Sequence, residues 1–320
     1  MAGEPIIETR DLKMTFKTRA GTVEAVKGID LTVHAGESFG FLGPNGAGKT
    51  TTLRILATLM TPTGGSARIA GVDLLKNPGK VRERIGFVGQ TTGSDSSMTG
   101  RGEIVYQGQF YGLSKTEAAA RADHLLKAFD LADAADRRSK TYSGGMRRRL
   151  DVAMGMIHQP PILFLDEPTT GLDPQARARM WDEVKRLRDS GTTVFLTTHY
   201  LDEADALCDR VAIIDHGKIV ALGTPDELKR QIGGDVITLG VPADRREETL
   251  ALVAAQPFVR KALQEDDTIR LYVEQGEAVL PQVLRLVDGA GIPVETIAYH
   301  RPSLNDVFLQ QTGRSLRDAA

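Results

Sequence analysis

The chain has 320 residues, enough for one large domain and a small one, and its 40 lysines and arginines nearly balance 42 aspartates and glutamates. The net charge of -2 gives no overall basic field, so it does not favour nucleic acid or an anionic membrane as partner. Cys208 is the only cysteine, which excludes an internal disulfide and fits a reducing compartment. The start lacks the features of a signal peptide, and no apolar run approaches the ~20 residues of a membrane span. We therefore expect the chain to be soluble alone and to reach a membrane only through a partner.

The first part of the chain indicates strands around a glycine-rich loop. Apolar residues in 6–9, 12–16 and 23–33 predict an antiparallel layer. Ser38–Leu42 predicts a buried strand, and residues 51–57 predict a helix. Between these two elements lies the run Gly43-Pro44-Asn45-Gly46-Ala47-Gly48-Lys49-Thr50-Thr51.

This run has the G-x-x-x-x-G-K-T pattern of a phosphate-binding loop in its proper strand–loop–helix setting. Glycines allow successive backbone N–H groups to turn toward an anion, and the helix N-terminus adds partial positive charge. Lys49 can reach the β- and γ-phosphates, and the Thr50 hydroxyl can bind Mg²⁺. The run predicts that the chain binds a nucleoside triphosphate.

Strands and helices alternate in the following part of the chain. Residues 64–66 predict a turn, 67–70 and 84–89 strands, 91–102 a loop, and 103–138 helical structure. A glycine turn at 142–146 opens a helix at 147–157, and helices at 176–190 and 202–208 alternate with strands at 161–167 and 193–198. A hairpin at 210–221 follows. This order predicts an α/β domain with a mostly parallel sheet and a ligand site at the carboxyl ends of its strands.

Asp166 and Glu167 end the strand at 161–167, whose continuous apolar run suits a strand buried on both faces. Asp166 can hold Mg²⁺ directly or through water, and Glu167 can orient the attacking water or take its proton. Acidic residues also end strands simply to meet solvent, but the phosphate loop upstream favours the functional interpretation.

The C-terminal part predicts a separate small domain. Strands at 235–241, 258–263, 268–273 and 293–299 and helices at 247–255 and 278–290 follow the order β-α-β-β-α-β, which suggests a ferredoxin-like α+β fold. Ser303 is the expected N-cap of a last helix. We therefore predict a nucleotide-binding domain at 1–230, with a helical subdomain at about 91–157, and an accessory domain at 235–320.

Over residues 6 to about 229, the motifs resemble those of the ATP-binding subunit of an ABC transporter, a P-loop NTPase. The matching segments are Gly43 to Thr51 (Walker A), Gln90 (Q-loop), Ser143-Gly144-Gly145-Met146 (signature), Ile162 to Glu167 (Walker B), Gly171-Leu172-Asp173 (D-loop) and His199 (switch histidine). Within that family, residues 141–149, 196–205 and 301–308 are most similar to the daunorubicin/doxorubicin-resistance type of exporter ATPase.

The resemblance implies roles for residues that are weak signals alone. His199 would contact the γ-phosphate, and Gln90 would bind Mg²⁺ or the attacking water and sense the membrane partner. Phe16 occupies the place of the usual adenine-stacking tyrosine and keeps its π face. Ser143-Gly144-Gly145 would meet the γ-phosphate of ATP held by another copy, and Asp173 would contact that copy. Two copies would then sandwich two ATP molecules.

The signature departs from its common Leu-Ser-Gly-Gly-Gln form, since Tyr142 and Met146 stand at its ends, but its Ser-Gly-Gly centre is intact. The run Arg147-Arg148-Arg149 is predicted to be a solvated helix face and not a nucleic-acid patch.

The sequence thus predicts a Mg²⁺-dependent ATPase that forms a homodimer and drives export of a drug or other amphipathic molecule. It would act at the cytoplasmic face through a separate transmembrane permease subunit, which residues 103–138 and the loop after Gln90 would contact. The C-terminal domain would support assembly. The alternatives are a soluble ABC ATPase acting on ribosomes or DNA and a metabolic kinase. A single set of motifs argues against the first, and the Ser-Gly-Gly turn with His199 argues against the second.

Overall fold

The computed structural model describes residues 3–19, 21–91, 93 and 97–313 and divides the chain into two compact units, Met1–Leu222 and Gly223–Ala320. The strands are β1 (Pro5–Thr18), β2 (Gly21–His34), β3 (Ser38–Leu42), β4 (Gly64–Ile69), β5 (Val72–Asp73), β6 (Ile85–Val88), β7 (Ile162–Asp166), β8 (Thr193–Thr198), β9 (Arg210–Asp215), β10 (Lys218–Gly223), β11 (Asp235–Gly240), β12 (Val259–Glu265), β13 (Thr268–Val273) and β14 (Thr296–His300). The helices are α1 (Lys49–Leu56), α2 (Pro78–Arg82), α3 (Gly100–Phe110), α4 (Lys115–Ala128), α5 (Gly144–Met156), α6 (Pro174–Asp189), α7 (Leu201–Leu207), α8 (Pro225–Gln231), α9 (Arg246–Ala254), α10 (Gly276–Gly289) and α11 (Leu304–Thr312), with short 3₁₀ turns at Ala132–Ala134, Ser139–Thr141 and Ala243–Arg245.

A six-stranded sheet in the order β10-β9-β3-β8-β7-β6 forms the centre of the first unit. Strand β3 pairs in parallel with β8 and β9, and β7 pairs in parallel with β6 and β8. Every residue of β3, β7 and β8 is buried, as expected for apolar strands covered on both faces. The predicted mostly parallel sheet is confirmed, and the carboxyl ends of these three strands lie at one edge.

The predicted antiparallel layer is a second sheet in the order β2-β1-β4-β5. The turn predicted at 64–66 is wrong, because these residues begin β4 and pair with β1. Gly65 has φ +79°, and a Cβ there would lie 2.2 Å from the carbonyl oxygen of Asp11. The glycines therefore permit β1 and β4 to approach closely where their pairing is irregular. The sequence pattern instead suggested a turn at these residues.

The first helix of the helical subdomain begins three residues earlier than the predicted helical segment at 103–138. Helix α3 starts at Gly100, because the Thr99 side chain accepts a hydrogen bond from the Gly102 N–H. Part of the loop predicted at 91–102 lies outside the described residues. Helix α5 starts at Gly144 and not at 147, because the Ser143 side chain accepts from the Met146 N–H. Both differences arise from caps, which extend a helix beyond its apolar positions.

The second unit contains a four-stranded antiparallel sheet in the order β12-β13-β11-β14. Along the chain its elements follow the predicted β-α-β-β-α-β order, with α9 and α10 as the two connecting helices. The Ser303 side chain caps α11 by accepting from the Asp306 N–H, as expected. Helix α8, which the predicted boundary places in the nucleotide-binding domain, lies in this unit. Over the described residues, no helix combines the length and apolar character needed to cross a membrane.

Candidate functional site

The loop between β3 and α1 has the close packing that a phosphate-binding loop requires. A Cβ at Gly43 would lie 2.3 Å from the carbonyl oxygen of Ile214, and one at Gly48 would lie 2.4 Å from that of Ala25. Gly48 also has φ +104° and is the N-cap of α1. Only glycine fits both positions, so the loop can present backbone N–H groups and the helix N-terminus to an anion.

Lys49, the first residue of α1, is 4% exposed and lies within this loop. Its ammonium donates to the carbonyls of Gly43 (2.7 Å) and Pro44 (3.0 Å) and lies 3.6 Å from Oε1 of Glu167. Burial lowers the pKa of Lys49, and the nearby Glu167 carboxylate opposes that shift. A buried cation beside glycine N–H groups provides a strong site for phosphate oxygens.

Asp166, at the end of β7, is joined to the phosphate loop through hydroxyl groups. Oδ1 accepts hydrogen bonds from Thr50 (2.9 Å) and from Thr197 of β8 (2.7 Å). Oδ2 is buried and has no hydrogen-bond partner among the described residues. A buried carboxylate oxygen without a hydrogen-bond partner, close to a threonine hydroxyl, is a suitable ligand for a hard divalent cation. No cluster of three His, Cys, Asp or Glu side chains with metal-binding geometry occurs in the described ranges.

Glu167 follows Asp166 and has φ +46°, which is unusual for a residue with a side chain. Its N–H donates to the side chain of Thr197 (3.0 Å) and to the carbonyl of the same residue (3.2 Å). Oε2 lies 3.4 Å from Nδ1 of His199 and accepts from the Thr170 hydroxyl at 3.2 Å. The His199 contact is the main cause that lowers the pKa of Glu167, with Lys49 adding to it against the effect of burial. Glu167 is therefore a carboxylate at neutral pH. It lies near Lys49 and His199, the two side chains that are predicted to contact the phosphates.

A cavity of about 390 Å³ joins these groups to the antiparallel layer. Phe16 on β1 and Gln90 after β6 line it, together with residues of β2, the phosphate loop and Glu167. The structure thus brings Phe16, Gln90, Lys49, Thr50 and Glu167 into one pocket, with Asp166 and His199 in contact with that group.

The predicted signature and D-loop residues do not line this pocket. Ser143 and Gly144 are exposed, and the glycine at 145 packs so closely on α6 that a Cβ would lie 2.9 Å from Cβ of Ala176. Asp173 is exposed and caps α6 by accepting from the Ala176 N–H at 2.8 Å. The predicted signature turn is therefore exposed at Ser143 and Gly144 and lies outside the pocket of its own phosphate loop.

Two buried charged residues near the site do not follow from the sequence pattern. Glu203 on α7 accepts hydrogen bonds from Thr169 (2.8 Å) and Trp181 (3.2 Å), and its burial raises its pKa. Its position four residues after His199 is the only sequence signal. Arg148 is 7% exposed and the side chain of Arg149 is 11% exposed, so the prediction that Arg147-Arg148-Arg149 forms a solvated face is wrong for both of these residues. The cause is the packing of α5 against the strand ends.

The pocket, the Walker-type carboxylates and the switch histidine define a P-loop ATPase of the ABC type. The ABC transporter family model matches residues 26–170, and a model for the C-terminal domain of DrrA1-3-like ATP-binding proteins matches residues 223–312. The dimeric ATP-binding cassette MJ0796 in a post-hydrolysis state bound to ADP and Pi is a structural neighbour. Its TM-score is 0.63 at 26% identity, covering 68% of this chain and 98% of that one.

Two curated relatives extend the similarity to nearly the whole chain. The daunorubicin/doxorubicin resistance ATP-binding protein DrrA of Streptomyces peucetius is 45% identical over 317 residues, covering 98% of this chain and 94% of the relative. The Nod factor export ATP-binding protein I of Cupriavidus pinatubonensis is 39% identical over 316 residues, covering 98% and 92%. The chain belongs to the DrrA-like family of ABC transporter ATP-binding proteins and is an ATPase.

Proposed function

We propose that two copies of this chain close head to tail over two ATP molecules, and that hydrolysis reopens them to drive export through a separate permease subunit. One observation supports the dimer: Ser143 and Gly144 are exposed and do not line the pocket that contains the phosphate loop of their own chain. A helix that begins at such a turn is a second anion site, and a second copy supplies the anion. ATP brings negative charge into the interface, so bound nucleotide stabilises the dimer and loss of the γ-phosphate releases it.

Within each pocket, Lys49 and the loop N–H groups bind the β- and γ-phosphates, and Phe16 stacks on the adenine. A bound Mg²⁺ ion would supply positive charge that offsets the negative charge of the phosphates. Thr50, Asp166 and Gln90 are the residues that would hold it, and the unpartnered Oδ2 of Asp166 supports this assignment.

Glu167 orients the attacking water and takes its proton, while His199 contacts the γ-phosphate. The 3.4 Å separation between His199 Nδ1 and Glu167 Oε2 allows one imidazole to hold the carboxylate and face the phosphate. Glu167→Gln should therefore keep ATP binding, lower kcat by roughly 100- to 10,000-fold and trap an ATP-bound dimer. Turnover at the parental rate in this variant would contradict the role of Glu167.

The shared pocket is tested by mixing two inactive variants. Lys49→Ala removes the phosphate-binding cation, whereas Ser143→Asp keeps an N-cap acceptor for α5 and sets a negative charge against the partner's ATP. Each variant alone should be inactive. A mixed pair has one complete pocket, formed by Lys49 of one copy and Ser143 of the other, so ATPase activity should return. Mixtures without activity would contradict the head-to-tail dimer.

The permease is proposed to contact α3, where aromatic side chains are exposed. Phe110 is 81% exposed and Tyr106 is 61% exposed, in the segment predicted to contact the membrane partner. The charge reversal suggested by the sequence is unsuitable at Glu103, because that side chain is only 3% exposed. Tyr106→Ser with Phe110→Ser should abolish co-purification with the permease and preserve ATP binding. Leu59→Ser, at another exposed apolar residue, is the matched control.

The exported molecule is proposed to be a drug or other amphipathic compound. The resistance and export names of the two relatives support this, and they favour transport over action on ribosomes or DNA. Purification of the chain from membranes, with identification of the bound subunit, would test whether a permease holds it at the membrane. Co-expression with that subunit should raise resistance to an anthracycline, and the Glu167→Gln form should not. Equal resistance with both forms would contradict ATP-driven export.

A further inference from the structure

Arg148 is the buried side chain of α5 that reaches both the Walker B segment and the segment before Gln90. Its Nε donates to the carbonyl of Pro168 (2.9 Å), its Nη2 donates to that of Asp166 (3.0 Å), and its Nη1 donates to that of Gly89. All three acceptors are backbone atoms on segments distant in sequence. One guanidinium thus joins three parts of the fold at the edge of the main sheet.

These carbonyls surround the residues that carry the hydrolysis chemistry. Asp166 and Pro168 are the two neighbours of Glu167, and Gly89 directly precedes Gln90. Glu167 has a positive φ, a conformation that persists only where its surroundings enforce it. Thr197 binds the Glu167 N–H from β8, and Arg148 binds the flanking carbonyls from α5. The backbone of Glu167 is therefore held from both sides.

Arginine suits this position because its planar guanidinium carries five donors in a fixed fork. A lysine ammonium is a single point and cannot occupy three separate donor positions. The same helix holds the Gln90 segment at a second point, since Oδ1 of Asp151 accepts from the Gly93 N–H at 3.2 Å. Arg149, the next residue, is also largely buried, but its ion pair is with Asp130 at 3.5 Å.

We propose that Arg148 is a positioning residue for ATP hydrolysis, which aligns Glu167 and Gln90 from the helix that begins at the signature turn. The proposal rests on the functions proposed above for Glu167 and Gln90. Helix α5 is capped by Ser143, so the helix directed at the partner's ATP is hydrogen-bonded through Arg148 to the neighbours of Glu167 and Gln90 in its own chain. Arg148 has no contact with the phosphate loop among its hydrogen bonds, so its effect falls on turnover and not on ATP affinity.

The test compares Arg148→Lys with Arg149→Lys in the full chain. Arg148→Lys should lower kcat by roughly 10- to 100-fold and leave the Kd for ATP unchanged. Hydrogen exchange should become faster in peptides covering 86–91 and 163–170. Arg149→Lys should change neither kcat nor exchange in those peptides. Parental kcat with unchanged exchange in Arg148→Lys would overturn the proposal, as would equal effects of both substitutions.

Mixed dimers decide where Arg148 acts. In a pair of Lys49→Ala and Ser143→Asp copies, the working pocket uses Glu167 of the Ser143→Asp copy. Adding Arg148→Lys to that copy should lower the restored activity by the same roughly 10- to 100-fold, whereas adding it to the Lys49→Ala copy should leave the restored activity unchanged. Loss only in the Lys49→Ala copy would mean that Arg148 acts through Ser143. That result, or equal loss in both placements, would overturn the assignment to Glu167. If the mixture without Arg148→Lys is inactive, the dimer proposal fails, and the exchange measurement still decides the role of Arg148.

Discussion

Asp151 makes the free energy of unfolding depend on pH, and the surroundings of its carboxylate set the size of that dependence. Its carboxylate is buried in α5, and Oδ2 has no hydrogen-bond partner among the residues that the structure describes. Burial raises the pKa of Asp151 from 3.8 to about 6 despite the charge of Arg148. The folded chain therefore binds more protons than the unfolded chain between these two values. Stability falls as pH rises through this window, and above it the ionised carboxylate costs the folded state about 3 kcal/mol.

Asp151→Asn removes this titration and keeps an oxygen that can accept from the Gly93 N–H. The variant should match the parent near pH 4 and exceed it above pH 7, by up to about 3 kcal/mol or roughly 6 to 12 °C in Tm. Thermal unfolding of parent and variant from pH 4.5 to 8.5 measures the difference. Asp133→Asn, at an exposed site, is the control for loss of one negative charge. A parent–variant difference that is constant with pH would refute the assigned pKa.

Further substitutions probe hydrogen bonds in each unit. Thr197→Val removes the hydroxyl shared by Asp166 and the Glu167 N–H, so it should cost about 1–3 kcal/mol and lower kcat. Thr193→Val at the opposite end of β8 should lower only Tm, and a parental kcat in Thr197→Val would contradict the assignment. In the second unit, Asp306→Ala removes a fully buried partner of Arg270 and should cost about 3–5 kcal/mol.

The Asp306 effect also has a defined pH dependence. Burial raises its pKa, but hydrogen bonds from His300 and Ser303 and the charge of Arg270 outweigh burial, so the net pKa is lowered. Its stabilising contribution is present above the unfolded pKa and is lost as pH falls through the folded value. The difference between parent and Asp306→Ala in thermal unfolding should therefore shrink in acid. A loss below 1 kcal/mol at neutral pH would contradict the buried ion pair.

The parts of the site that the sequence predicts are those whose chemistry is local. The glycine loop, Asp166 and His199 each follow a short buried strand, and the carboxyl ends of parallel strands meet at one edge. Once β3, β7 and β8 pair in parallel, these residues lie close together whatever the packing of the surrounding helices. Glu203 depends instead on how α6 and α7 pack, because its partners Thr169 and Trp181 come from separate segments. The apolar periodicity of a single helix does not predict this contact between Glu203, Thr169 and Trp181.

The three consecutive arginines of α5 show why residue type alone does not reveal which side chains are buried and hydrogen-bonded and which are exposed to solvent. Successive residues of a helix point about 100° apart, so a helix packed on one side gives them three different environments. Arg147 is exposed, Arg148 reaches the Walker B carbonyls, and Arg149 pairs with Asp130. The rotation of α5 about its axis decides which of the arginines are buried. The Ser143 cap and the close contact of Gly145 with Ala176 set that rotation. The same glycine turn that is proposed as an anion site therefore also fixes which arginine binds the carbonyls on either side of Glu167.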